Sequence, residues 1–291
     1  MSSNSYHTLT PSDINYPSLL KEIHKPPETL WYRGDVTVFK KPLVAVVGSR
    51  KISSYGKQVT EKIVTELVVA GIGVVSGLAI GIDTTAHHAT LNAKGITIAV
   101  LGSGLDRIYP AVNRALAENI IKCGGLVISE FPPGTPAMPY HFPIRNRTIA
   151  GISLGVVVTE AREKSGALIT ARHSLEQNRE VFAIPGPIDQ LGSVGPNQLI
   201  KQGAVLTTGA HDILNELQLE QRQQQLQIKQ VLPATPTEAK LLTFLETEPL
   251  HVDKLSRFAR LDINVVNATL TVLEMKGMVV HLGGQTYAKQ S

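Results

Sequence analysis

Val44-Ala45-Val46-Val47-Gly48-Ser49-Arg50 decides the fold: a run of small and β-branched apolar residues stops at a polar loop containing glycine. The same pattern returns at Val74–Val75 into Ser76-Gly77, and at Ile98–Leu101 into Gly102-Ser103-Gly104. A short, wholly apolar run bounded in this way reads as a strand buried on both faces of a parallel sheet. Working outward, strands are expected at 44–47, 72–75, 96–101, 126–129, 155–159 and 181–184, alternating with helices at 54–70, 83–93, 111–122 and 167–177. This alternation predicts an α/β fold with a doubly wound, mostly parallel sheet. The strand ends of such a sheet open onto a shared crevice where ligands bind, and bare N–H groups at helix starts favour anions there.

Bulk properties narrow the class. Of 291 residues, 43% are hydrophobic and 18% charged, enough to build a large core plus a small second one. The net charge of +4 and pI near 9.1 permit a nucleic-acid partner without demanding one. Cys123 is the single cysteine, so an intrachain disulfide and a paired-cysteine metal site are excluded, and a reducing cytoplasm fits. The start, Met1-Ser-Ser-Asn-Ser-Tyr, has no signal-peptide pattern, and no apolar run reaches membrane-spanning length.

Four segments are expected. Residues 1–40 read as an N-terminal strap packed on the core, because Tyr16, Trp31 and Tyr32 need burial. Residues 41–217 carry the sheet, and 218–236 a glutamine-rich helical tail and linker. In 237–291, helices at 237–246, 252–258 and 264–276 precede a hairpin at 279–288, the order of a winged helix-turn-helix.

Each motif has a sharp and a bland reading. Gly48-Ser49-Arg50 is a phosphate site of backbone N–H groups plus a guanidinium, or a tight turn with a surface arginine. Asp83 precedes a helix and reads as its N-cap; His87 and His88 lack a third ligand, which disfavours a metal. Gly102-Ser-Gly-Leu-Asp-Arg107 has arginine where a dinucleotide fingerprint needs its third glycine, and no Walker motif occurs. A nicotinamide cofactor and a P-loop nucleotidase are therefore disfavoured, and no cofactor is expected. Tyr140-His-Phe-Pro-Ile-Arg-Asn-Arg147 is the densest chemistry: cations that can track phosphates, and rings that can stack on bases. Its alternative is a loop whose arginines brace Glu130 or Glu160. Ser165 reads as a helix cap, since the Gly-x-Ser-x-Gly elbow is missing. Lys201 lies on or near a helix and, taken singly, is solvated. The helix at 264–276 has one lysine, at its end, so the tail reads as a weak or protein-binding winged helix, not a sequence-specific duplex reader.

In order, Val44-Ala-Val-Val-Gly-Ser-Arg50, Ser76-Gly-Leu-Ala-x-Gly-Ile-Asp83, Gly102-Ser-Gly-Leu-Asp106 with Tyr109-Pro110, Phe142-Pro-x-Arg-Asn-Arg147, Ser165-Gly-Ala-Leu-Ile-Thr-Ala171, Pro185-Gly186 and Gly203-Ala204 resemble the DprA (Smf) family of DNA-processing proteins. The resemblance covers roughly residues 10–210, and the tail is similar to the winged-helix module of many members. The sterile-alpha-like domain that some members carry at the N-terminus is not seen. What the resemblance implies is an extended Rossmann fold that binds and protects single-stranded DNA, helps load the RecA recombinase in transformation and recombination, forms a dimer, and catalyses no reaction. Carried over, the family's DNA pocket falls on Gly48, Ser49, Arg50, Phe142, Arg145, Asn146, Arg147 and Lys201. Two rivals remain: a Rossmann-type nucleoside monophosphate phosphoribohydrolase, with Glu160 as the strand-end carboxylate, and a winged-helix transcription regulator.

Overall fold

A computed structural model describes residues 6–219, 235–246, 248–275 and 278–289. The chain divides into two compact units, Met1–Leu217 and Gln218–Ser291. Most of the glutamine-rich tail expected at 218–236 lies outside the described residues.

Each apolar run of the first unit becomes a strand with no exposed position: β3 (Leu43–Val47), β4 (Gly73–Ser76), β5 (Thr97–Leu101), β6 (Leu126–Ser129) and β7 (Gly155–Val158), with β8 (Glu180–Ala183) exposed only at its first residue. The sheet has nine strands in the order β1-β2-β6-β5-β4-β3-β7-β8-β9, where β1 is His7–Leu9, β2 is Leu30–Gly34 and β9 is Val205–Leu206. From β6 to β9 every pairing is parallel. Residues 7–34 do more than lie across the core: β2 pairs antiparallel with β6, and β1 with β2. Between them the short α1 (Ser18–Lys21) buries Leu20, and the Tyr16 hydroxyl donates to Pro27 O at 2.8 Å.

Helices cover both faces. They are α2 (Ser54–Val69), α3 (Ile82–Asn92), α4 (Arg114–Lys122), α5 (His141–Gly151), α6 (Gly166–Glu176), α7 (Val194–Lys201) and α8 (Ala210–Glu216). Period-two alternation splits the strands between two cores: Ile98 and Val100 of β5 face one, Ala99 and Leu101 the other. The chain runs outward from β3 through β4, β5 and β6, then returns to β3's other side for β7, β8 and β9. β3 and β7 are therefore neighbours whose following loops diverge, which opens a crevice above their carboxyl ends.

One element departs from expectation. No helix is expected between the strands at 126–129 and 155–159, yet Tyr140 caps and His141 begins α5. Pro143 fits because a proline in the first helical turn removes only an N–H that has no intrahelical partner.

The second unit builds α9 (Pro236–Phe244), β10 (Leu250–His251), α10 (Val252–Ala259), α11 (Ile263–Met275), β11 (Val279–Gly283) and β12 (Thr286–Lys289) around its own core. Leu241, Leu255, Val266, Leu270 and Leu273 are fully buried there. β12 lies between β10 and β11, the small ribbon expected of a winged helix.

Candidate nucleic-acid interface

The crevice at the β3–β7 switch point is a cleft of about 530 Å³. Its walls are the loop after β3, the loop after β7, and the first turns of α5 and α6. Gly48 must be glycine, since a Cβ there would sit 2.6 Å from Ile82 Cγ1 and 2.9 Å from Glu160 O. Ser49 turns the chain: its hydroxyl donates to Lys51 O at 2.9 Å and accepts from Lys51 N at 3.1 Å. That turn puts Arg50 in solvent with its guanidinium carbon 5.3 Å from the Phe142 ring centre, a cation–π distance. The Phe142 ring also lies 5.7 Å from that of Tyr109.

Three further cations line the same cleft: Lys51, Arg162 and Lys164. Sequence reasoning left them out of the site. Their signal was the one used for Arg50, a polar loop directly after a buried parallel strand. All three are exposed, and neither they nor Arg50 pairs with a carboxylate among the described residues. Between them stands the amino end of α6. Ser165 caps it, as expected, with Oγ accepting from Ala167 N at 3.3 Å. Gly166 meets nothing within 4 Å where a Cβ would be. A helix start facing unpaired cations attracts phosphate.

The other expected residues separate. Arg145 reaches the cleft floor but is 5% exposed. Its Nη1 donates to Gly77 O and, at 2.7 Å, to Val100 O, and its Nε donates to Asn146 Oδ1 at 3.0 Å. Burial lowers its pKa to about 10, Asp83 opposing the shift and Arg50 adding to it. Asn146 lines the cleft and ties α5 to α6, its Nδ2 donating to Gly166 O at 3.2 Å. Arg147 does not enter the cleft. Two residues along a helix are about 200° apart, so Arg145 and Arg147 leave α5 on opposite faces. Arg147 Nη2 pairs with Glu130 at 2.9 Å, and Nη1 donates to Lys25 O at 2.7 Å, the bracing the bland reading described. Lys201 is also outside: it ends α7, and a crossover helix runs back toward the amino ends of the strands, away from the cleft.

The remaining motifs resolve into supports. Asp83 is not the N-cap of α3, a position held by Gly81; its Oδ2 accepts from Gly77 N at 3.1 Å and Ala79 N at 3.3 Å, closing the loop after β4. Burial raises its pKa against the pull of Arg145, those two amides and Arg50. His87 is fully buried and bonded through Nδ1 to Thr97 Oγ1 at 2.7 Å. Thr97 donates its own hydroxyl proton to Val74 O, so His87 carries its proton on Nδ1. Burial drives its pKa down to about 3, with His88 and Arg145 adding to the fall. Among the described residues no group of three or more His, Cys, Asp or Glu could hold a metal ion. Glu160 braces Ser53, the N-cap of α2: Oε2 accepts from Ser53 N at 3.0 Å, and Oε1 from the Ser53 hydroxyl.

A family model for DNA recombination-mediator protein A matches residues 7–218. The chain belongs to that family. A second model, for the DprA winged helix domain, matches residues 229–285. Among relatives, Protein Smf of Escherichia coli (strain K12) is 46% identical over 213 residues, 73% of this chain and 57% of that protein. The solved structure of DNA processing protein A from Streptococcus pneumoniae superposes with a TM-score of 0.70 at 45% identity, covering 73% of this chain and 75% of that one. DNA processing protein A from Helicobacter pylori, solved for its single-stranded DNA binding mode, gives a TM-score of 0.66 at 30% identity, covering 74% and 96%. The family expected from the motifs is thus the family found, with its Rossmann-like sheet and its winged helix.

Proposed function

We propose that this recombination-mediator family member binds single-stranded DNA in the cleft above β3 and β7, without sequence choice and without catalysing a reaction. One observation carries the reading: Arg50, Lys51, Arg162 and Lys164 converge on one cleft, without carboxylate partners among the described residues, beside a helix start and the Phe142 ring. Free cations bind phosphates of any sequence, and a ring stacks on any base. The single-stranded DNA binding named for the Helicobacter pylori relative supports it. Four phosphate contacts on a single strand correspond to a log affinity against log salt slope of roughly −3.

A phosphoribohydrolase needs an available carboxylate, whereas both oxygens of Glu160 are engaged by Ser53. The hydroxyls of Ser49 and Ser165 are likewise committed, to a turn and a cap. A duplex-reading regulator is disfavoured by α11, which presents Val265 and Val272 at its surface and contains no cation. The name of the Streptococcus pneumoniae relative supports DNA processing; we place that work in the cytoplasm, with protection of the strand and hand-over to a RecA-type recombinase as its purpose. Two copies acting as a dimer would put two clefts on one strand. No described helix is long and apolar enough to cross a membrane.

Titration of labelled single- and double-stranded oligonucleotides at two salt concentrations tests this. The expected result is salt-sensitive preference for the single strand. Equal or stronger duplex binding removes the reading, and base release from nucleoside monophosphates replaces it with the enzyme.

A further inference from the structure

The loop after β4, Gly77 to Ile82, lies beneath Arg50: Ile82 N donates to Ser49 O at 3.1 Å. This loop is strained, with Leu78 held at φ 58° although it is not glycine and is fully buried. Such a backbone persists only where its surroundings over-determine it. Three side chains do so. Asp83 Oδ2 takes the amides of Gly77 and Ala79, Asn113 Nδ2 donates to Leu78 O at 2.8 Å, and Arg145 Nη1 donates to Gly77 O. Arg145 also donates to Val100 O, so it joins the ends of two adjacent strands.

We propose that Arg145 is a positioning residue that holds Arg50 over the cleft through the Gly77–Ile82 loop, and that it does not itself contact nucleic acid. The inference rests on the cleft reading above. Nη1 and Nε of this guanidinium hold two main-chain carbonyls and a side-chain amide, and the residue is only 5% exposed, so Nη2 alone remains to face the cleft from beneath Arg50. Its influence passes along a short chain: Arg145 to Gly77 O, through the strained loop to Ile82 N, to Ser49 O, and so to Arg50.

Counterion release separates positioning from contact, because only a residue that neutralises a phosphate changes the salt slope. Fluorescence anisotropy with labelled oligothymidylate across a potassium chloride series, on the full chain, is the measurement. Arg50→Gln should weaken binding and flatten the slope by about 0.7. Arg145→Gln should weaken binding about tenfold at every salt concentration with the slope unchanged, and should add little in an Arg50→Gln background, as expected of residues acting through one another. A flattened slope for Arg145→Gln, unchanged affinity, or full additivity with Arg50→Gln overturns the proposal. Gly77→Ala is the second variant. It keeps every cation, but its Cβ would lie 2.5 Å from Arg145 Nη1 and 2.8 Å from Asp83 Oδ2. It should reproduce the tenfold loss at constant slope, and parental affinity overturns the proposal. If circular dichroism shows neither Arg145→Gln nor Gly77→Ala folded, Arg145 serves the whole fold and the proposal also falls. An Arg50→Gln chain that binds like the parent with the same slope removes the cleft reading itself, a failure visible without reference to Arg145.

Discussion

The cleft of the first unit and the surface of α11 in the second both stand where such folds meet nucleic acid, yet their chemistry is opposite. Around the cleft, four cations are exposed and have no carboxylate partner among the described residues. On α11, the exposed positions include Ile263, Val265 and Val272, and no lysine or arginine occurs between Ile263 and Met275. A polyanion needs counter-charge before it needs shape, since phosphate neutralisation supplies most non-specific affinity. A winged helix without that charge has the architecture of a DNA reader but lacks the electrostatics.

The largest effect should come from removing the charge. Arg50, Lys51, Arg162 and Lys164 changed together to glutamine should cut single-strand affinity at least about a hundredfold near 0.1 M salt and leave almost no salt slope. Retained slope would mean that the phosphates lie elsewhere and would erase the contrast.

Acid should separate the two units. Burial keeps His87 neutral in the folded first unit, with a pKa of about 3 against the ordinary 6.5. The unfolded chain takes a proton that the folded chain refuses, so stability is whole above pH 6.5 and is lost as pH falls from there toward 3. By pH 4.5 the loss is about 3 kcal/mol. His251 and His281 of the second unit both reach solvent. Thermal scans between pH 7 and 4.5 should therefore show the first unit weakening the more, and His87→Gln should flatten its pH dependence. Identical pH profiles for both variants would contradict the buried neutral imidazole.

Within the first unit, Arg147→Ala should lower unfolding free energy by roughly 2–3 kcal/mol, through loss of the pair with Glu130 and the bonds to the N-terminal segment. Single-strand affinity should stay at the parental value once the protein is folded, and denaturant melts with titrations check both halves. The smallest change is expected from deleting residues 219–291, which leaves the first unit's core intact; affinity for a short single strand should move by no more than about threefold. Loss of binding by that folded fragment would give α11 the role denied to it here.

The parallel sheet was readable because Val44–Val47, Ile98–Leu101 and their glycine stops have few other uses. Arg50 was readable for the same reason, since a cation directly after a buried strand emerges at the switch point. Arg147 misled because, in a segment to which no helix was assigned, residues two apart can share one direction, whereas on α5 they cannot. That helix escaped notice because one face presents polar groups to the cleft and the other to Glu130, leaving no apolar stripe to give a 3.6-residue period. Lys201 misled because sequence places a residue near a helix but not at which end of the sheet that helix finishes. Lys51, Arg162 and Lys164 were in plain view. What sequence could not decide was which cations already had partners: bracing of Glu130 was one of the readings it left open, and nothing in it told Arg147 from Arg145.

One feature of the cleft reaches beyond affinity. Its walls come from segments around residues 48–51, 79–83, 139–149 and 162–170, which meet only when the whole sheet is assembled. A strand held by Arg50 and Lys164 at once would staple distant parts of the chain to each other. Occupancy would therefore resist global melting by mass action, which would make nucleic acid a folding ligand for the protein that shelters it.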